Sequence, residues 1–273
     1  MGELVMREKK SIADEEIRRK KLSVISTIHY CKLMFRSMLF LSATVLYILH
    51  RLNHSESVFG GLEQQPLLGF IWLAFLLEMV LRFFPSKLES MGCQKQFASN
   101  YRGNPEVELR PRFTKDLVLT ALLWLLLNAV FGILYFVGVF DKEILILISL
   151  AFSVCDMVCI LFFCPFQTWI MKNKCCGSCR IYNWDYAMMF TPLVFVKNPY
   201  SWTLLLCALL LLARWEITAY FHPERFFEHS NPALSCANCQ EKLCHHKKQL
   251  QEFLKENRHN FLLPHNSHNP HSK

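Results

Sequence analysis

Seven of the twelve cysteines fall into two groups whose spacing suits coordination chemistry. The first group is Cys164, followed by Pro165, and then Cys175, Cys176 and Cys179 in the string Lys-Cys-Cys-Gly-Ser-Cys-Arg. The second is Cys236, Cys239 and Cys244 in the string Ser-Cys-Ala-Asn-Cys-Gln-Glu-Lys-Leu-Cys-His-His. Cys176/Cys179 and Cys236/Cys239 are C-x-x-C pairs. That spacing lets a tight turn aim two sulfurs at one centre, and Gly177-Ser178 and Ala237-Asn238 are small or turn-forming residues of the kind such a turn takes. Together the pairs supply the four thiolates that tetrahedral zinc or an iron–sulfur cluster takes. Cys175, Cys164 and Cys244, with His245 and His246, stand in reserve as ligands. In a reducing compartment such thiols point to metal binding or redox chemistry rather than structural disulfides.

The gap between the pairs is 56 residues and contains a long apolar run, so this is no local zinc ribbon. The pairs meet only if the fold returns both to one side of that run. Lys172, Lys174 and Arg180 flank the first string. Cations there lower a thiol pKa, and they equally offset the negative charge of a cluster. The other cysteines carry less. Cys31, Cys155, Cys159 and Cys207 lie in or beside apolar runs and read as packing residues, with Cys155 and Cys159 sharing a helix face at i, i+4.

The elements that must position these thiols are helices in a bilayer. Apolar residues reach 52% and charged residues only 19% of the 273. A hydrocarbon core about 30 Å thick is crossed by roughly 20 mostly apolar helical residues. Spans are predicted at about 37–52, 66–84, 117–140, 144–166 and 202–221, and a soluble chain of this length lacks the polar surface to cover five such runs. Residues 188–196 are apolar but too short to span alone, and Pro192 with the Lys197-Asn198-Pro199 break suits a half-helix or re-entrant segment. The fold class is therefore all-α, a polytopic integral membrane protein of five or six transmembrane helices with a Cys-rich cytoplasmic face. The organisation expected is a charged arm (1–36), a helical membrane domain (37–221), a Cys-rich helical tail (222–260) and a disordered tail (261–273) holding His265, His268 and His271.

Lys and Arg number nine before the first span and then one, seven, one and four in the successive loops. This alternation places the N-terminus in the cytoplasm of a multi-pass cell-membrane protein. No cleavable signal peptide is expected, because the first 36 residues are charged. The tail carries eight more Lys and Arg, which favours a cytoplasmic C-terminus and a sixth, short crossing by residues 188–196. The net charge of +8 then reflects topology and attraction to anionic lipid, and with no aromatic-interleaved basic motif nucleic acid is not an expected partner.

Polar groups within spans are costly and mark function or pairing. Asp156, Glu78, Asn128, Arg214 and Glu216 are the candidates, with an ion pair of Asp156 or Glu78 with Arg214 the simplest reading. No phosphate-binding glycine loop, dinucleotide fingerprint, H-E-x-x-H or G-x-S-x-G motif occurs, which argues against an ATP-driven pump and against serine or zincin proteases. The sequence does not decide whether the chain is an enzyme. It points first to a membrane-integral metal-binding protein with a redox or electron-transfer role. An iron–sulfur cluster on Cys176, Cys179, Cys236 and Cys239 would exchange electrons with a partner protein or a membrane carrier. The alternatives are a structural zinc site in a transporter or metal-handling protein, with Asp156 lining an ion path, and a membrane thiol–disulfide oxidoreductase.

Overall fold

The computed structural model describes residues 23–53, 66–103, 114–173, 175–239 and 241. All regular structure among them is helical. Five long helices carry the fold: α1 (Val24–Asn53), α2 (Pro66–Leu81), α3 (Lys115–Phe136), α4 (Lys142–Leu161) and α5 (Pro199–Phe221). Each of the five predicted apolar runs lies on one of them.

Their starts are written locally. The Ser23 hydroxyl accepts from the Ser26 N–H at 3.1 Å, the Thr114 hydroxyl from Leu117 at 3.3 Å, the Asp141 carboxylate from Ile144 at 2.8 Å and the Asn198 amide oxygen from Tyr200 at 2.9 Å. Each satisfies a donor that the first helical turn leaves open. The α3–α4 hairpin turns at Gly138, whose φ of 82° suits a residue without Cβ. The N–H of Val139 closes the turn on the Leu134 carbonyl at 2.9 Å.

Four helices, residues 24–49, α3, α4 and α5, are long and apolar enough to cross a membrane. At 16 residues α2 is about 24 Å long, short of the bilayer core. Helix α1 differs from the run read in sequence, beginning at Val24 rather than near residue 37. The outward faces are apolar: Leu41, Leu122, Leu125, Leu126, Leu206 and Leu210 are all exposed.

The helices alternate in direction. Arg36 pairs with Asp156 near the end of α4, while Arg51 pairs with Asp141 at its start, so α1 and α4 run antiparallel. Trp72 donates to Thr203 and Arg214 to the Phe83 carbonyl, so α2 and α5 run parallel. Between α4 and α5 a sixth segment runs through the bundle. It is a short helix (Asp185–Phe190) continued by a 3-10 stretch (Thr191–Phe195). Asp185 is held by Arg82 at one end of the bundle, and Phe195 packs against Tyr135 and Phe136 at the other. The segment is about 19 Å long, too short for an isolated span, yet Tyr186, Met189, Phe190, Leu193 and Val196 are all buried by the surrounding helices. Close approach is permitted at Gly132, where a Cβ would stand 2.6 Å from the Phe195 ring.

With this passage the chain returns to the end at which α1 begins. That end, the cap, is built from residues 82–101, 162–184 and 222–241. Arg225 donates to the Gln96 carbonyl at 3.2 Å, the Met91 N–H to the Glu241 carboxyl at 2.7 Å, and the Ser26 hydroxyl to the Glu241 carbonyl at 2.7 Å. The segments bearing the two C-x-x-C pairs therefore share one end of the bundle.

Candidate functional site

Helix α4 stops at Leu161, three residues before Cys164, because Phe162 leaves helical conformation. Cys164-Pro165 then opens a single wide turn, Phe166–Ile170. The Gln167 N–H reaches the Cys164 sulfur at 3.4 Å, and its side-chain amide donates to the Asn173 carbonyl at 3.0 Å. The amide oxygen of the same glutamine accepts from the Cys176 thiol at 2.6 Å, so Cys164 meets the backbone and Cys176 the side chain of one residue. Lys172 takes a left-handed φ of 47° where the chain doubles back.

The C-x-x-C string is a turn, closed by the Cys179 N–H on the Cys176 carbonyl at 3.0 Å. Its outer face is pinned by Lys95, which is 1% exposed. The Lys95 ammonium donates to the carbonyls of Gly177 at 3.1 Å and Cys179 at 2.7 Å, and lies 5.2 Å from the Trp215 ring. Burial pulls the Lys95 pKa down to about 7 from its ordinary 10.5. Beyond the turn, Arg180 grips Glu216 at 2.8 and 2.5 Å, and Trp184 adds a third hydrogen bond to that carboxylate at 2.7 Å.

Behind the turn lies a cavity of about 130 Å³. Its walls present five thiols, from Cys155, Cys159, Cys164, Cys176 and Cys179, and two thioethers, from Met188 and Met189. Cys159 and Cys164 are hydrogen-bond neighbours, and the Cys176 sulfur is 3.8 Å from the Cys159 carbonyl. Burial pushes the Cys179 thiol pKa up, while the Ile181 N–H and Lys95 pull it the other way. Cys93, outside the cavity, is buried on the Asn183 amide at 3.4 Å, and burial raises its pKa strongly. An apolar setting of this kind keeps thiols protonated until something displaces the proton.

The floor of the cavity is charged. Asp156 and Asp185 line it, and both are engaged by buried arginines. Arg36, 1% exposed, donates to Asp156 at 2.8 Å, to Glu78 at 3.0 Å and to the Ser153 carbonyl at 3.1 Å. Lys32 completes Glu78 at 2.5 Å. Arg82 donates to Asp185 at 2.5 Å and Asn183 at 2.9 Å, and its guanidinium sits 4.5 Å from the Tyr186 ring. The partner of Asp156 and Glu78 is thus Arg36 and not Arg214, which instead lies over Phe83 and Phe97.

Of the residues predicted from sequence, Cys164, Cys176 and Cys179 come together on the cavity. Burial raises the pKa of the Glu241 carboxyl, and the charge of Cys175 and Glu89 raises it further. Cys236 is exposed and Cys239 half-buried on a turn closed at 3.4 Å by the Cys239 N–H on the Cys236 carbonyl. Cys244 lies outside the described residues. Among the described residues no three Cys, His, Asp or Glu side chains stand close enough to hold one ion. Sequence reasoning assigned Cys155 and Cys159 to packing and did not weigh Met188, Met189, Gln167 or Lys95. The signal that could have found the cysteines was their i, i+4 spacing, which puts both on the helix face that leads to Cys164. Comparison with known proteins adds no relative: no family model, curated protein or solved structure matches the chain.

Proposed function

We propose that this chain is a polytopic integral membrane protein that binds a thiophilic metal through the thiols of its cap. Membrane insertion is supported by the four long apolar helices and by an outward surface of leucines enclosing buried charges, the reverse of a soluble fold. The alternation of Lys and Arg orients the cap towards the cytoplasm. Six alternating passes, counting residues 185–196, support a reading with both ends of the described chain on that side.

The observation that carries the metal reading is the gathering of Cys159, Cys164, Cys176 and Cys179, from three separate stretches of chain, around one cavity. A redox form of the same function, with an iron–sulfur cluster on Cys176, Cys179, Cys236 and Cys239 serving a partner protein or membrane electron carrier, is favoured by one contact. The tail returns to the cap, where Glu241 accepts from the Met91 N–H at 2.7 Å. A zinc clamp between the same pairs rests on that contact too. The cluster or clamp form needs the 236–239 turn to close onto Cys176 and Cys179.

Anaerobic purification of the full chain in detergent, with elemental analysis and a visible spectrum, tests the proposal. Bound metal that is lost in Cys176→Ser is the expected result. Brown protein with iron and sulfide identifies the cluster form, and one zinc per chain without colour identifies the clamp. A chain that retains no metal, or whose metal content is indifferent to Cys164→Ser, Cys176→Ser and Cys179→Ser, overturns it.

A further inference from the structure

We infer that the charged floor of the bundle is a site for one exchangeable proton, shared by the carboxylates of Asp156 and Asp185; this goes beyond the metal reading above and uses none of its sulfurs. The charges form one continuous chain. Arg36 holds Asp156 at 2.8 Å and Glu78 at 3.0 Å, and Lys32 holds Glu78 at 2.5 Å and reaches Glu89 at 4.0 Å. Arg82 then reaches Glu89 at 3.9 Å and holds Asp185 at 2.5 Å. Carboxylate and cation alternate, and both ends are carboxylates. Four negative groups therefore stand against three positive ones. No member's side chain is more than 23% exposed, so the excess charge is not shed to solvent.

The two ends meet. Asp156, from α4, and Asp185, from the 185–190 helix, line the same cavity of about 130 Å³, which has room for water at ~30 Å³ per molecule. Each of them has one cation, whereas Glu78 and Glu89, within the chain, have two each. The missing positive charge thus belongs between the ends, in the cavity. Two carboxylates that share a site do not both stay ionised, and the proton that one takes belongs to the pair. A hard metal ion would take six or more oxygens. The side-chain oxygens on the wall come only from Asp156, Asp185, Gln167 and Tyr182, and among the described residues no three Cys, His, Asp or Glu side chains are placed to hold one ion. A proton asks for a single oxygen. The other titratable groups on the wall, five thiols and the Tyr182 phenol, are neutral when protonated and cannot supply the charge.

A second, independent observation lies along the same chain. Both ring nitrogens of His29, the Tyr186 hydroxyl and the Asn183 amide nitrogen have no hydrogen-bond partner among the described residues, although all three residues are buried. The Tyr186 ring lies 4.5 Å from the Arg82 guanidinium and 5.9 Å from that of Arg36, and the Asn183 amide oxygen accepts from Arg82 at 2.9 Å. Buried polar atoms are rarely left bare, and a row of them beside the charges is a path for exchanging water and protons. His29 stands among Lys32, Arg36 and Arg82, where a further positive charge is repelled. Uptake is a plain transfer: a hydronium ion gives its proton to a carboxylate oxygen, an O–H bond forms, and water is left behind. No electron moves.

The test uses the full, metal-free chain in detergent, with infrared difference spectra recorded as the pH is lowered. The C=O stretch of a protonated carboxyl, which shifts in heavy water, reports the bound proton. One carboxylic acid per chain is expected while the exposed carboxylates are still ionised. Asp156→Asn and Asp185→Asn each leave three charges against three, and the band should be lost in both. Lys32→Gln leaves four against two and should add a second band. Glu228→Gln, at an exposed position, should match the parent. A parent with no such band, a band that survives both Asn variants, or one unchanged by Lys32→Gln overturns the proton site. So does a band abolished by sodium at constant ionic strength, which would assign the missing charge to a metal cation. If the two Asn variants fail to fold, Lys32→Gln, at a partly exposed position, decides alone. No outcome depends on whether the thiols bind metal.

Discussion

Arg36 is the residue whose removal the charged floor should tolerate least. It is 1% exposed and serves two carboxylates and one carbonyl from a single guanidinium, at 2.8, 3.0 and 3.1 Å. In Arg36→Met the aliphatic bulk is kept but Asp156 loses its ion pair, whereas Glu78 keeps Lys32 at 2.5 Å. Breaking one side of a buried pair costs about 3–5 kcal/mol, because the orphaned charge stays desolvated. Since one of the two carboxylates is rescued, we expect the loss to come almost wholly from Asp156 and to fall at about 3–4 kcal/mol. Arg36→Lys keeps the charge but not the fork, and should forfeit one charge-assisted hydrogen bond, about 1.5–3 kcal/mol. Adding Asp156→Asn to Arg36→Met removes the orphaned charge and should recover most of the loss, with a coupling of about 2–3 kcal/mol in the double-mutant cycle, within the range for residues in contact. The assay is reversible unfolding in mixed micelles followed by tryptophan fluorescence, for which the buried Trp215 is a reporter. An Arg36→Met chain within ~1 kcal/mol of the parent, or a cycle with no coupling, would refute the reasoning, since that is the range of an exposed pair.

Lys95 gives a pH signature. Its pKa falls from 10.5 to about 7 on folding because the ammonium is buried, so between those values the unfolded chain holds the extra proton. Stability should therefore rise with pH above about 7, by up to ~1.4 kcal/mol per unit, and Lys95→Met should flatten the slope in thermal scans at pH 6 to 9. Gly132→Val drives side-chain carbon into the Phe195 ring, now 2.6 Å from where a Cβ would stand. It should cost about 1–3 kcal/mol by overpacking, whereas Gly69→Ala, with open space around it inside α2, should be neutral or stabilise by up to about 1 kcal/mol through helix propensity. In intact cells, a thiol reagent that cannot cross the membrane should leave the exposed Cys236 unmodified until the cells are opened; modification from outside would invert the orientation.

The five apolar runs were legible because long apolar helices satisfy their own backbone and leave a continuous signal of hydropathy in the sequence. The start of α1 was not, since His29, Lys32 and Arg36 interrupt the run. Lys32 and Arg36 are accepted because Glu78 and Asp156, 42 and 120 residues from Arg36, neutralise them. Residues 185–196 defied the length rule for the same kind of reason: they are shielded by the surrounding helices, which bury Tyr186, Met189, Phe190, Leu193 and Val196. Both C-x-x-C turns were legible from spacing; that their segments sit at one end of the bundle is shown by contacts such as Arg225 with Gln96 and Glu241 with Met91. Which sulfurs face one another was not, because it depends on where α4 ends and on how Gln167 ties Cys164 to Cys176. Periodicity showed that Cys155 and Cys159 share a face, and left open whether that face met lipid or a cavity.

The central claim is that sulfurs from separate stretches of chain hold one ion. Alkylation of each cysteine, mapped by mass spectrometry in the metal-free and metal-loaded chain, tests it most directly. Loading should shield Cys159, Cys164 and Cys176 together while leaving the exposed Cys31 as reactive as before. Equal reactivity of the three in both states, or shielding confined to Cys236 and Cys239, would contradict it.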